Sequence, residues 1–184
     1  MEKTIRSKII ALSKETAILL SAVVAAVVVP QIVHGIGVLA GVGGMLGQIL
    51  LPMYIPVFVI GFYRGTVSGV LTGFLAPLVS FLITGMPATT VLPYIMIELI
   101  AIGALSGLLA KSQRPALLRV TVALVGAKAI RLALFVANIC FSNIGSLTAS
   151  LVFGDVVRSI PGIVLQLVVV TLLLKNKEKE RDVR

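Results

Sequence analysis

The sequence predicts an all-α integral membrane protein with six transmembrane helices, both termini cytosolic, and a Gly-rich outer loop between helices 1 and 2. Three observations predict it. Hydrophobic residues fill 58% of the 184 positions and charged residues only 12%, with mean hydropathy +1.12, whereas soluble domains carry about 25% charged residues. Between Glu15 and Arg64 there is no Asp, Glu, Lys or Arg at all, a run that no soluble fold requires. All 16 Lys and Arg except Lys128, Arg131 and Arg158 fall in the N-terminal segment, the C-terminal tail or two internal patches, as positive-inside topology demands. The net charge of +9 is therefore an orienting charge facing a lipid bilayer, and no nucleic-acid partner is expected.

Each element follows in order within one domain spanning residues 1–184. Residues 1–14, with Lys3, Arg6, Lys8 and Lys14, form a cytosolic lead-in. The first span covers about 16–33 and continues past Val29 without a small-residue cleavage pattern, so it reads as retained rather than as a signal peptide. Residues 34–51 are apolar but glycine-rich, poor material for a continuous helix, and are expected to form an outer loop or a short broken helix. The second span covers about 51–63, and Arg64 marks an inner turn. The third covers 65–84, and Gly85-Met86-Pro87 begins an outer turn that runs to Thr90. The fourth covers about 91–110. Lys111 to Pro115 form an inner loop with Arg119 just beyond. The fifth covers about 116–140, residues 141–150 form an uncharged outer loop, and the sixth covers about 153–174 before the basic tail 175–184. Glycines at 61, 65, 69 and 73 fall every fourth residue and form one bare ridge if this part is helical, with the spacing repeated at 103 and 107; such ridges let helix backbones approach closely in lipid.

Five charged residues do not fit the loops: Glu98, Lys128, Arg131, Asp155 and Arg158. Charges inside spans are costly and usually face the bundle interior, where they mark a site. At about 1.5 Å per residue, Glu98 lies roughly 10 Å from the outer end of its span. By the same measure Lys128 and Arg131 lie about 18 and 22 Å from the inner end of theirs. Asp155 and Arg158 open the sixth span, so all five converge on one outer layer. Lys128, Arg131, Phe135 and Asn138 share one helix face, and Asp155, Arg158, Gly162 and Gln166 form another stripe. Three cations against two anions leave one positive charge for a carboxylate or phosphate. Simpler assignments compete: Asp155 and Arg158 also suit a capping pair, and Glu98 a structural partner of Lys128 or Arg131. His34, Tyr54 and Tyr94 suit either interfacial anchors or ligand contacts. The lone His34 and lone Cys140 exclude a His/Cys metal cluster, no GxxxxGK[ST] loop binds nucleotide phosphates, and no GxSxG elbow exists. The expectation is a binding protein without a cofactor or metal, not an enzyme.

Several of these segments together resemble a known family. Ala22-Val-Val-Ala-Ala26 is similar to the AxxxA motif of the S components of energy-coupling-factor (ECF) vitamin transporters. PVFVIGFYRGTVSGVLTGFLAPLVSFLITGMP, residues 56–87, resembles their Gly-rich second and third helices, and LPYIMIELIAIGALSGLL, residues 92–109, their fourth. The resemblance implies a multi-pass subunit of a prokaryotic plasma membrane that captures a vitamin or its precursor. It implies docking through Ala22 and Ala26 on a T component, with ATP hydrolysis confined to two partner ATPase subunits. It also implies substrate contacts in the regions holding Glu98, Lys128, Arg131, Asn138 and Arg158. The positive charge balance favours pantothenate or nicotinate over hydroxymethylpyrimidine, pyridoxine or thiamine. Two other functions fit the same residues: a self-sufficient transporter using Glu98 as a proton-coupling carboxylate, and a non-transporting assembly subunit.

Overall fold

A computed structural model describes residues 2–43, 45–142 and 158–182. Among these the chain is helical, with no strand. The helices are α1 (Glu2–Leu39), α2 (Met45–Leu50), α3 (Tyr54–Arg64), α4 (Thr66–Thr84), α5 (Leu92–Leu109), α6 (Ala116–Ser142) and α7 (Ile160–Asp182). Five of them contain segments long and apolar enough to cross a membrane: Ser13–Leu39, Thr66–Thr84, Leu92–Leu109, Ala116–Asn138 and Ile160–Glu180. Their outward surfaces carry large apolar side chains, among them Val24, Ile32, Leu82, Val125 and Val168, as lipid-facing surfaces must.

The expected short broken helix and second span correspond to α2 and α3, separated at residues 51–53. The 11 residues of α3 reach about 16 Å, half the thickness of a hydrocarbon core. Pro52 causes the break, because it has no N–H to donate and crowds the helical conformation of the residue before it. Leu51, just before it, sits at φ +48°, a left-handed conformation that costs a non-glycine residue roughly 1–2 kcal/mol. The chain keeps its course through Leu51 N–H to the Gly47 carbonyl at 3.1 Å and Tyr54 N–H to the Leu51 carbonyl at 3.2 Å. The expected outer loop is also shorter than its glycines suggest. Helix α1 continues through Gly35 and Gly37 to Leu39, and residues 40–43 turn the chain towards α2. There Gly37 lies against the Gly43 carbonyl and Gly47 against the His34 ring. With Arg64 Nη1 3.0 Å from Glu15 Oε1, these contacts show α2 and α3 returning antiparallel along α1. They do so from His34 to Glu15, about 28 Å at roughly 1.5 Å per residue.

The glycines of 61–73 do not form one ridge. Gly65, at φ +93°, turns the chain between α3 and α4 in a conformation that a side chain would strain. Gly61 on α3 and Gly69 on α4 then reach Gly103 of α5 from two sides. A Cβ at Gly61 would lie 2.9 Å from the Gly103 carbonyl oxygen, and one at Gly69 would lie 2.4 Å from it. Gly73 likewise faces Leu99, and Gly107 faces Thr66, which fixes α4 and α5 as an antiparallel pair in near backbone contact. On α5's flank, Arg119 Nη1 reaches the Ala110 carbonyl at 3.5 Å and Gly126 faces Leu105, so α6 is antiparallel as well. Tyr54, Val57, Phe58, Leu99, Ile102, Val120, Ala123, Val170 and Leu174 fill the core between α3, α5, α6 and α7.

Ala26 belongs to that core with no exposed surface, and Ala22 is half-buried. The small pair expected to meet a partner is thus turned partly or wholly into the chain's own packing. The exposed face of α1 carries Leu20, Ser21, Val24 and Val28 instead.

Gly103→Ala brings a methyl group to within 2.2 Å of the Gly69 carbonyl oxygen, where only backbone can give way. It should destabilise the protein by about 1–3 kcal/mol. Gly35→Ala meets nothing within 4 Å and should be neutral or stabilise by about 0.5–1 kcal/mol. Melting temperatures in mild detergent check both signs.

Candidate functional site

Helix α5 is tied to α4 so closely that the first apolar turns of α5 have no access to lipid or water on that side. Glu98, Leu99 and Ile102 are all fully buried there. An ionised carboxylate at such a position costs several kcal/mol unless charges and donors compensate it. Two other helices supply them. On α6, Lys128 and Arg131 stand three residues apart on one face. Lys128 Nζ lies 2.6 Å from Glu98 Oε1, and Arg131 Nη1 donates to Oε2 at 2.8 Å. From the start of α3, the Tyr54 hydroxyl donates to the same Oε2 at 2.9 Å. The Lys128 contact has the distance of an ion pair without hydrogen-bond alignment, and its ammonium also lies 5.5 Å from the Tyr54 ring centroid, within cation–π range.

The cluster is asymmetric in exposure. Glu98 has no exposed side-chain surface, whereas Lys128 and Arg131 keep 22% and 20% of theirs. One carboxylate and two cations sum to +1, and the positive members face outward from the buried acid. Such an arrangement leaves partly exposed positive charge on Lys128 and Arg131 beside the buried acid. It contains no nucleophile paired with a general base. One turn towards the start of α5, Tyr94 packs edge-on against Phe135, with ring centroids 5.9 Å apart at 64°. This pair continues the α5–α6 register and gives the cluster an aromatic margin.

The residues anticipated from sequence divide clearly. Glu98, Lys128, Arg131 and Tyr54 meet, and Tyr94 borders them. Asn138 and Arg158 are exposed, and neither is among the groups that contact the Glu98 carboxylate. His34 packs against Gly47 in the α1–α2 hairpin, its Nδ1 buried without a hydrogen-bond partner. Asp155 lies outside the described residues. Gln166 on α7 is fully buried with both amide atoms unpartnered. The signal that singles it out in sequence is a lone amide within the apolar run 160–174.

A second polar cluster closes the opposite end of the bundle. Arg119, 5% exposed, pairs with Glu178 and donates to the Ala110 carbonyl at the end of α5. Lys177 donates to the Phe62 carbonyl at 3.3 Å near the end of α3 and lies 4.0 Å from the Tyr63 ring. Cations here satisfy the terminal carbonyls of two helices, so this cluster acts as a structural clasp.

Compared with protein-family models, with curated proteins and with solved structures, the chain matches none.

Tyr54→Phe removes a hydrogen bond to a buried charge with little change of volume. It should lower stability by about 1.5–3 kcal/mol, measured by thermal unfolding in detergent.

Proposed function

We propose that the chain is the substrate-binding S component of an ECF-type importer in a prokaryotic plasma membrane. It captures a small anionic vitamin or precursor, pantothenate- or nicotinate-like, from the outer side. A T component and two ATPase subunits then drive delivery inward. The observation that carries this reading is the buried Glu98 carboxylate holding Lys128 and Arg131 at the edge of the bundle with net charge +1. A purely structural carboxylate needs one cation for neutrality, and a second one serves an incoming anion.

Other features support the reading without establishing it. Counting α2 and α3 as one interrupted crossing gives six crossings, with both termini on the side where Lys and Arg concentrate. Interrupted helices at membrane depth are tolerated where they are buried in protein or line a cavity, and the interruption at Leu51 lies immediately before Tyr54. Docking on the T component falls to the exposed side of α1 around Ser21 and Val24, next to the half-buried Ala22, because Ala26 is buried. The same carboxylate could serve a self-sufficient proton-coupled transporter. Its lack of any exposed surface counts against that alternative, since proton access would require the ion pairs to part.

Native mass spectrometry of the protein purified alone in mild detergent should reveal a retained carboxylate-bearing small molecule. Arg131→Ala should weaken its binding by about 10- to 100-fold. Uptake by the isolated chain, driven by a proton gradient alone, would contradict the proposal.

A further inference from the structure

The last helix carries a polar group that the ion cluster does not use. Gln166 is fully buried, and among the described residues neither its Nε2 nor its Oε1 has a hydrogen-bond partner. A primary amide offers two donors and an acceptor. Leaving both ends unpaired in an apolar interior costs more than filling the same space with an apolar side chain. Native structures rarely keep such a group without a reason.

Its location follows from the packing of α7. Gly162, four residues earlier on the same face, lies against the Ile49 carbonyl and Leu50, just before the break at Leu51. Four and eight residues later, Val170 and Leu174 continue that face into the core with Tyr54, Val57 and Phe58. Farther along, the Tyr63 hydroxyl donates to the Leu173 carbonyl at 3.0 Å, and Lys177 reaches the Phe62 carbonyl at 3.3 Å. Helix α7 therefore runs parallel to α2 and α3. Between the Gly162–Leu50 and Leu173–Tyr63 contacts, Gln166 comes level with Tyr54. It faces that segment within one interhelical spacing, roughly 8–10 Å. The phenol of Tyr54 is the group that binds Glu98.

We infer that Gln166 is a ligand contact of the Glu98 site and that it selects small carboxylates that also carry a secondary amide. The inference rests on the proposed reading of that site as a vitamin pocket and narrows its substrate class. Lys128 and Arg131 take the carboxylate. The ligand's amide presents an N–H to Gln166 Oε1 or a carbonyl to Nε2. A heteroaromatic acid with only a ring nitrogen gives Oε1 nothing to accept. Sites built to hydrogen-bond a group discriminate strongly against analogues lacking it, because their own buried polar atoms are then left unpaired.

Three probes separate the two halves of the site in calorimetric titrations of the purified full chain. Pantothenate has the carboxylate and the amide, nicotinate the carboxylate alone, and panthenol the amide alone. Wild type should bind pantothenate about 10- to 100-fold more tightly than nicotinate. Gln166→Leu should remove that advantage by weakening pantothenate and panthenol, leaving nicotinate within about threefold. Arg131→Ala should weaken both carboxylates and spare panthenol. The empty Gln166→Leu protein should melt at the same or a higher temperature, because an unpaired buried amide has been removed. If Gln166→Leu lowers the melting temperature and leaves pantothenate binding unchanged, Gln166 is structural and the inference is overturned. If nicotinate binds as tightly as pantothenate and Arg131→Ala weakens both, the anion site stands and the amide selection fails. If wild type binds none of the three, the inference and the vitamin-pocket reading fall together.

Discussion

The arrangement depends on one constraint: a glutamate with no exposed surface, in a bundle whose outside is apolar. Glu98 cannot be compensated by water, so three side chains from two other helices have to reach it. That requirement fixes the register of α6 against α5, since a shift of one residue would carry Lys128 and Arg131 off the shared face. It also fixes where α3 begins, because only the first residue after the break places a phenol at Oε2. The backbone contacts of α4 on α5 at Gly69, Gly73 and Gly103 make the burial possible. With side chains at those glycines, α4 would stand off and open the carboxylate's other flank.

The two polar clusters along α6 perform different tasks. Near the start of the helix, Arg119 is almost wholly buried, and the cations there satisfy helix-end carbonyls, binding α3, α5, α6 and α7 into a closed base. Farther along, Lys128 and Arg131 share a single acid and remain about one-fifth exposed. The first arrangement spends its donors on helix-end carbonyls and stiffens the bundle. The second leaves its cations partly exposed, with the Tyr94–Phe135 pair nearby.

Much of this was legible in the residues. Hydropathy and the placement of Lys and Arg were sufficient for a helical membrane protein, and helical spacing from the span ends was sufficient to bring Glu98, Lys128 and Arg131 to one level. Tyr54 was a candidate without an assigned partner, because nothing local shows that α3 runs beside α5. The short broken helix and the span expected after it correspond to α2 and α3, but apolar composition does not show that α3 starts only at Tyr54 and is too short to cross alone. The glycine-rich stretch after His34 misled in the other direction, since Gly35 and Gly37 stay helical once α2 packs along α1. Ala22 and Ala26 show the limit of small-residue patterns, which mark close packing without saying whether the neighbour belongs to the same chain.

A double-mutant cycle on Glu98→Gln and Lys128→Met, read as unfolding free energy of the empty protein in detergent, tests most directly whether the buried carboxylate organises this bundle. The coupling should lie well above the limit of about 0.5 kcal/mol expected for independent sites, with the double mutant less impaired than the two single losses combined. Additivity within that limit would mean that the acid and the cation do not depend on each other, and the site as described here would not exist.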